Sequence, residues 1–160
     1  MTNTGVWLVG ARGNVATTAI TGARAIARGE TNTTGLVTER EPCTRLSLPA
    51  VEGFVFGGHD IRETSLLDRA RTLAESGVPK PSVVDAVSED LRRIDDRIET
   101  GTAVNCGEAV TDLATGRPLE ERLSVAETVD RIRDDYESFA RRHGLDRVVV
   151  VNVASTEPPL

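Results

Sequence analysis

The first apolar run of the chain ends in a glycine-containing turn, and this junction constrains the fold more than any other stretch. Residues 5–9 read Gly-Val-Trp-Leu-Val, and residues 10–18 continue as Gly-Ala-Arg-Gly-Asn-Val-Ala-Thr-Thr. A continuous apolar run is typical of a parallel strand that is buried on both faces. Helical periodicity follows the turn, so several backbone N–H groups and a helix N-terminus meet at one point. Such a point favours an anion, and we interpret the turn as the phosphate-binding part of a dinucleotide site.

The glycine spacing of the turn departs from the strict G-x-G-x-x-G pattern of dinucleotide-binding folds. Ala11-x-Gly13-x-x-Ala16 fits a relaxed form of the pattern with alanine at both ends. In the other alignment, Gly10 is the tight-turn glycine and Arg12 occupies the position of the second glycine. The alternative interpretation is a strand-to-helix turn without a ligand. The location of the turn, after the first strand and before the first helix, favours the dinucleotide site.

The length, charge and cysteine content of the chain exclude several classes of protein. A chain of 160 residues fits one domain with a sizeable core. A net charge of −6 without a basic run argues against a nucleic-acid surface. No apolar stretch approaches the ~20 residues of a membrane span, and no signal peptide precedes the first strand. Cys43 and Cys106 lack a C-x-x-C partner, which is typical of a reducing compartment. We therefore expect a cytoplasmic protein that binds neither nucleic acid nor membrane.

Strands and helices alternate along the chain, which predicts an α/β fold with a Rossmann-like, doubly wound parallel sheet. The predicted helices cover 14–28, a segment with an apolar stripe over 66–74, 82–98 and 124–143. The predicted strands cover 35–39, 54–56 and 148–153, and the last is expected to be fully buried. Residues 100–120 are ambiguous, and 104–110 is an open candidate for one more strand. Gly57-Gly58 is interpreted as a turn, and the charged residues of 89–97 as a solvated, paired surface.

Two acidic residues are alternative ligands for a ribose hydroxyl, which dinucleotide folds bind with an acid at the end of the second strand. Glu39 ends the segment 35–39, where a solvated acid at a strand end is an equal alternative. Asp60 ends the next strand segment, and Asp60-x-x-Glu63 is also a capping-box pattern for the helix that follows. His59 is interpreted as a loop histidine without a catalytic role.

Three stretches together resemble the NAD-binding half of myo-inositol-1-phosphate synthase. They are the turn at 10–18, Phe-Gly-Gly-His-Asp-Ile at 56–61, and Val-Asn-Val-Ala-Ser-Thr-Glu at 151–157. The family has a G-x-G-G-N-type turn, a G-G-x-D-I segment and a strand that ends in an A-[NS]-T-E-like motif, in the same order. The resemblance covers nearly the whole chain. Arg12 and His59 depart from the eukaryotic pattern, which makes the chain more similar to the archaeal or bacterial branch.

The resemblance implies an NAD site and assigns its positions. The cofactor-binding residues that it implies are Gly10, Arg12, Gly13, Asn14 and Val15 at the pyrophosphate turn, Asp60 at the adenosine ribose, and Ala154, Ser155 and Thr156 near the middle of the cofactor. No catalytic or metal-binding residue is assigned. Lys80 is the single lysine of the sequence and matches none of the family's lysine motifs.

The resemblance also implies a reaction. D-glucose 6-phosphate is converted to 1D-myo-inositol 3-phosphate by oxidation, aldol cyclisation and reduction, in inositol and phospholipid biosynthesis. A homotetramer and a cation, either a divalent metal or ammonium or potassium, are implied for the complete enzyme. We expect residues 1–160 to be the N-terminal NAD-binding domain of a longer enzyme, without the catalytic and tetramerisation domain and therefore inactive alone. The alternatives are an NAD(H)-binding sensor module and another NAD-dependent sugar or homoserine-type dehydrogenase.

Overall fold

A four-stranded parallel sheet with the strand order β3-β2-β1-β4 forms the centre of the protein. The computed structural model describes residues 3–103, 108–112, 114–115 and 123–154. The strands are β1 (Thr4–Val9), β2 (Phe54–Asp60), β3 (Ile98–Thr100) and β4 (Arg147–Asn152). The helices are α1 (Asn14–Ala27), α2 (Leu66–Glu75), α3 (Pro81–Ala86), α4 (Ser88–Asp95), α5 (Glu108–Thr111) and α6 (Val125–His143). The predicted Rossmann-like α/β fold is confirmed.

The sheet grows outward from β1 in both directions. β2 pairs with one edge of β1, β3 pairs with β2, and β4 pairs with the other edge of β1, all in parallel. From β1 the chain first adds β2 and β3 on one side of that strand, and it then crosses to the other side to add β4. Open α/β sheets bind ligands at the carboxyl ends of strands where this reversal occurs. In this protein the reversal lies between β1 and β4.

Helices cover both faces of the sheet, because successive side chains of β1 point to opposite faces. Leu8 belongs to the main core together with Ile20 of α1, Leu66 of α2 and Leu91 of α4. The ring of Trp7 lies on the other face, 5.1 Å from the ring of Phe139 in α6. The arrangement is doubly wound, as predicted.

Gly57 and Gly58 lie within β2, and the prediction of a turn at this pair is wrong. A Cβ on Gly57 would lie 2.9 Å from Cε2 of Phe139. A Cβ on Gly58 would collide with the carbonyl oxygen of Leu8 and lie 2.9 Å from the Cβ of Ala11. The two glycines therefore allow α6 and β1 to approach β2 closely, which is a packing requirement and not a requirement for a turn.

Two further predictions of secondary structure are wrong. Residues 35–39 contain a 3₁₀-helix, Val37–Glu39, with no buried residue, in place of a strand. The helix predicted from 82 begins at Pro81, whose missing N–H is tolerated at a first helical position, and divides at Val87 into α3 and α4. Residues 108–111 form α5, so the described end of the strand candidate at 104–110 is helical. Residues 104–107, the rest of that candidate, lie outside the described residues.

The prediction that 148–153 is a fully buried strand is also wrong. Val149, Val150 and Val151 are 47, 53 and 38% exposed. Among the described strands, β4 pairs with β1 alone and is therefore an edge of the sheet. An apolar run indicates a strand but does not distinguish a central position from an edge.

The predicted ends of α1 and α6 agree with the structure. Ser124 and Glu127 form the predicted capping box of α6, in which the Glu127 carboxylate accepts the Ser124 N–H at 2.8 Å. Gly144, with φ of +57°, ends this helix. Across the described ranges, no helix is both long and apolar enough to cross a bilayer.

Gly58→Ala should lower the free energy of unfolding by ~1–3 kcal/mol, because the added methyl group overpacks the contact between β1 and β2. Gly22→Ala is the matched control, since an added Cβ in α1 has nothing within 4 Å. Its expected effect is a gain of ~0.5–1 kcal/mol from helix propensity. Urea unfolding followed by circular dichroism measures both. A Gly58→Ala variant as stable as the wild type would contradict the close packing.

Candidate cofactor-binding site

The turn between β1 and α1 lies in the crevice between the carboxyl ends of β1 and β4. Gly10 has φ of +87°, a left-handed conformation that favours glycine. A Cβ at this position would also lie 2.8 Å from the Cα of Ala154, just beyond β4. The Gly13 N–H donates to the Gly10 carbonyl at 2.9 Å and closes the turn. Both the backbone conformation and the approach of β4 therefore require glycine at position 10.

Helix α1 begins directly after the turn and presents free amides. Its N-cap residue is Gly13, which provides no side-chain cap, and its first turn contains no acidic residue. The N–H groups of residues 14–16 have no acceptor within the helix, because the first amides of any α-helix precede the hydrogen-bonded ladder. These amides and the positive end of the helix dipole together favour an anionic group beside the turn.

Asp60 connects the turn to the end of β2. It is the last residue of β2 and is 6% exposed. Its Oδ2 accepts the Arg12 N–H at 2.6 Å, and its Oδ1 accepts the Arg62 N–H at 2.9 Å. The next helix, α2, begins at Leu66 and has Ser65 as its N-cap. The interpretation of Asp60 as a helix cap is therefore wrong, and its carboxylate orders two loops instead.

The two acids that the sequence left as alternatives lie in different surroundings. Glu39 lies in an exposed 3₁₀-helix and not at the end of a strand. Asp60 ends the strand next to β1, which is the position from which dinucleotide folds bind a ribose hydroxyl.

The side chain of Arg12 enters a polar network on the outer side of the turn. Its Nε donates to Oδ1 of Asp95 at 2.9 Å, and its Nη1 donates to the Arg62 carbonyl oxygen at 2.8 Å. The same Asp95 oxygen accepts the N–H of Leu66, the first residue of α2, at 3.0 Å. The Arg12 and Asp95 side chains are 14% and 22% exposed. The backbone N–H and the guanidinium of Arg12 thus tie the turn to the protein.

Asp95 is a site residue that the sequence interpretation missed. It belongs to the charged residues of α4 that were predicted as a solvated surface, and for Asp95 that prediction is wrong. The alternating charges of the helix gave no signal that one carboxylate turns inward. Its partner, Arg12, lies 83 residues away in the sequence.

His59 is buried within β2, so its interpretation as a loop residue is wrong. Its carbonyl oxygen accepts the N–H groups of Gly10 and Ala11 at 2.9 and 3.0 Å. Its Nδ1 accepts the indole N–H of Trp7 at 3.0 Å. Because indole only donates, the proton of the neutral imidazole lies on Nε2, which donates to Oδ2 of Asp135 at 2.9 Å. His59 therefore holds the turn through its backbone and α6 through its side chain.

A cavity of about 200 Å³ opens beside these groups and is called the cofactor cavity below. Its wall includes Gly13, Asp60, Ile61, Thr102, Ile132 and Ala154. The structure thus brings together residues from the turn, the end of β2 and the end of β4. The sequence does not indicate that the loop after β3 or Ile132 of α6 lines this cavity.

The remaining predicted positions lie near the cofactor cavity or beyond the described residues. Asn14 and Val15 are the first two residues of α1. Ser155 and Thr156 lie outside the described residues. Within the described ranges, no group of three or more His, Cys, Asp or Glu side chains is placed to hold a metal ion.

Comparison with known proteins identifies the family. The family model for the NAD-binding domain of myo-inositol-1-phosphate synthase matches residues 4–160. The chain belongs to the myo-inositol-1-phosphate synthase family. Among curated protein sequences, none matches the chain.

Two solved structures of this family or related to it have a similar fold. Inositol-3-phosphate synthase from Caenorhabditis elegans superposes with a TM-score of 0.74 at 20% identity over 98% of this chain. A myo-inositol-1-phosphate synthase-related protein from Thermotoga maritima superposes with a TM-score of 0.59 at 22% identity over 95% of this chain. The chain spans 35% and 34% of the lengths of these two proteins.

Asp60→Asn should lower the free energy of unfolding by ~1–3 kcal/mol, because the amide NH₂ would face either the Arg12 or the Arg62 N–H and leave that donor unsatisfied. Asp85→Asn is the control, since Asp85 is exposed on α3. Thermal and urea unfolding measure both variants. If the two substitutions have the same small effect, the Asp60 carboxylate does not order the turn.

Proposed function

We propose that this chain forms the NAD-binding part of an enzyme that converts D-glucose 6-phosphate to 1D-myo-inositol 3-phosphate. The observation that carries the proposal is the family match over 4–160 on a chain whose glycine turn, helix N-terminus and Asp60 line one cavity. The name of the Caenorhabditis elegans structure, inositol-3-phosphate synthase, supports the same reaction.

The residues around the cofactor cavity fit NAD. Gly13 lines the cavity without a side chain, so a pyrophosphate has room to approach the free amides of residues 14–16. Each carboxylate oxygen of Asp60 accepts one N–H and keeps a lone pair for a ribose hydroxyl. Ala154 contacts the turn closely and would border the middle of the cofactor.

NAD, when bound, supplies the acceptor and donor of hydride. The residues of this chain bind and orient it. The Arg12–Asp95 pair and the His59 carbonyl hold the turn in place before any ligand arrives, and a preformed site loses less entropy on binding. The apolar side chains of Ile61 and Ile132 form part of the cavity wall.

The remaining features of the proposal concern the complete protein. The chain spans about a third of the similar structures. We assign to the rest of the gene product the groups that remove the sugar proton and stabilise the developing oxyanion, including any divalent or monovalent cation. Residues 1–160 alone should therefore be inactive. A homotetramer, a cytoplasmic location and a role in inositol and phospholipid biosynthesis belong to the same proposal.

Incubation of the complete gene product with NAD and D-glucose 6-phosphate should release inositol after phosphatase treatment, with no net accumulation of NADH, because oxidation and reduction occur in one turnover. Residues 1–160 should be slower by more than tenfold, which corresponds to ~1.4 kcal/mol in the barrier.

Three outcomes would contradict this proposal. Stoichiometric NADH without inositol would indicate a dehydrogenase. No turnover, combined with an NAD(H)-dependent change of shape, would indicate a sensor. Turnover by residues 1–160 within tenfold of the complete protein would show that the catalytic groups lie within this chain.

A further inference from the structure

A second cavity, called the basic cavity below, lies at the opposite end of the sheet from the glycine turn. Its volume is about 320 Å³, and the first residues of β2 form part of its wall. The last turns of α1 and α6 and one side of α4 complete it. Phe54, Val55 and Phe56 of β2 line the basic cavity, whereas His59 and Asp60 line the cofactor cavity, so the nearest wall residues lie about 10 Å apart along the strand at ~3.3 Å per residue. The basic cavity is therefore separate from the proposed NAD site.

The wall of the basic cavity is rich in arginine, although the net charge of the chain is −6. Arg24, Arg93 and Arg97 line it, together with the acidic residues Glu52 and Asp90. The carboxyl ends of α1, α4 and α6 lie nearby and offset part of this positive charge. Whether the cavity attracts an anion therefore depends on whether each guanidinium is already paired with its own carboxylate.

The carboxylates near the basic cavity are already shared among several arginines. Oδ2 of Asp90 accepts from Nε of Arg28 at 2.5 Å and lies 3.7 Å from Nε of Arg24. The hydrogen bond with Arg28 is the main reason that the pKa of Asp90 is below its usual value. Nε of Arg93 lies 3.3 Å from Glu89, a carboxylate that also contacts a second arginine of α4. Asp90 and Glu89 are therefore each shared by two arginines.

Arg97 has no carboxylate partner among the described residues. It lies between α4 and β3 and is partly buried, and its side chain makes neither a hydrogen bond nor an ion pair within the described ranges. Burial lowers the pKa of Arg97, and the charges of Arg24 and Arg93 lower it further, against an opposing effect of Asp96. A partly desolvated guanidinium that two others repel is stabilised by an added anion.

His143 offers an uncharged donor on the facing side of the same cavity. It is the last residue of α6. Burial, followed by the charges of Arg97 and Arg142, lowers the pKa of His143, so the ring is neutral at pH 7. A neutral imidazole donates one hydrogen bond without adding charge.

We propose that the basic cavity binds a phosphoryl anion, with Arg97 as its central ligand and Arg24, Arg93 and His143 around it. A planar guanidinium can donate two parallel hydrogen bonds to phosphate oxygens, whereas the ammonium group of lysine acts as a point charge. The anion would supply the missing negative charge between the three arginines. Both inorganic phosphate and the phosphate group of a small monoester have this chemistry.

Calorimetric titration of the complete gene product with inorganic phosphate, at ionic strength held constant with sodium chloride, tests the proposal. Arg97→Gln should weaken phosphate binding at least tenfold, because the amide keeps most of the side-chain volume and loses the charge. Arg93→Gln, on a side chain that is 65% exposed and so carries little risk to folding, should also weaken it. Arg92→Gln is the matched control, since Arg92 lies on α4 outside the basic cavity and should bind phosphate as the wild type does.

The outcomes separate this proposal from the proposed function. Glycerol 3-phosphate is titrated in parallel, and tighter binding than inorganic phosphate would identify a phosphate monoester as the ligand. NAD affinity should be unchanged in Arg97→Gln, because the cofactor cavity lies at the other end of the sheet. No phosphate binding by the wild type, or equal effects of the Arg97 and Arg92 substitutions, would overturn the basic cavity as an anion site whatever the result with NAD.

Discussion

The close approach of the two strand ends at Gly10 determines how the rest of the site is built. A left-handed residue with no space for a Cβ beside Ala154 turns the chain sharply at the end of β1. The sharp turn directs the N-terminus of α1 into the crevice between β1 and β4. The carbonyl of His59 then accepts two N–H groups from the start of the turn, which fixes the turn to β2. The geometry of the turn is therefore a property of the backbone.

The residues proposed as cofactor ligands also stabilise the fold of this protein. Asp60 orders the turn and the loop after β2 through two charge-assisted hydrogen bonds, and such bonds contribute ~1.5–3 kcal/mol each. Arg12 occupies a position where many dinucleotide turns have glycine, and its side chain binds Asp95 on the outer side. A residue larger than glycine is tolerated there because it has a partner away from the cavity. Under the proposed function, stability and cofactor binding are therefore coupled at Asp60.

Local signals predicted the parts of the fold that local interactions form. The capping box at Ser124, Gly144 and the glycine turn each specify a backbone conformation within a few residues, and the structure has them where the sequence placed them. The errors concern partners that are distant in sequence. The sequence favours a turn at Gly57-Gly58, because the ring of Phe139 and the backbone of β1, which exclude a Cβ there, come from other elements and leave no local signal. The sequence predicts a solvated Asp95 for the same reason, since its partner Arg12 is distant in sequence. Periodicity also does not show whether a strand such as β4 lies at the centre or at the edge of a sheet.

The central claim is that the glycine turn binds the NAD pyrophosphate, and the affinity of Gly13→Ala for NAD tests it most directly. Gly13 has φ of −69°, which any residue adopts, and an added Cβ would lie 3.0 Å from the Gly10 carbonyl oxygen, so a small shift accommodates it. Gly53→Ala is the matched control, because an added Cβ there has nothing within 4 Å. In the complete gene product, Gly13→Ala should weaken NAD binding at least tenfold, about 1.4 kcal/mol, while Gly53→Ala leaves it unchanged. Wild-type NAD affinity in a folded Gly13→Ala variant would contradict the claim.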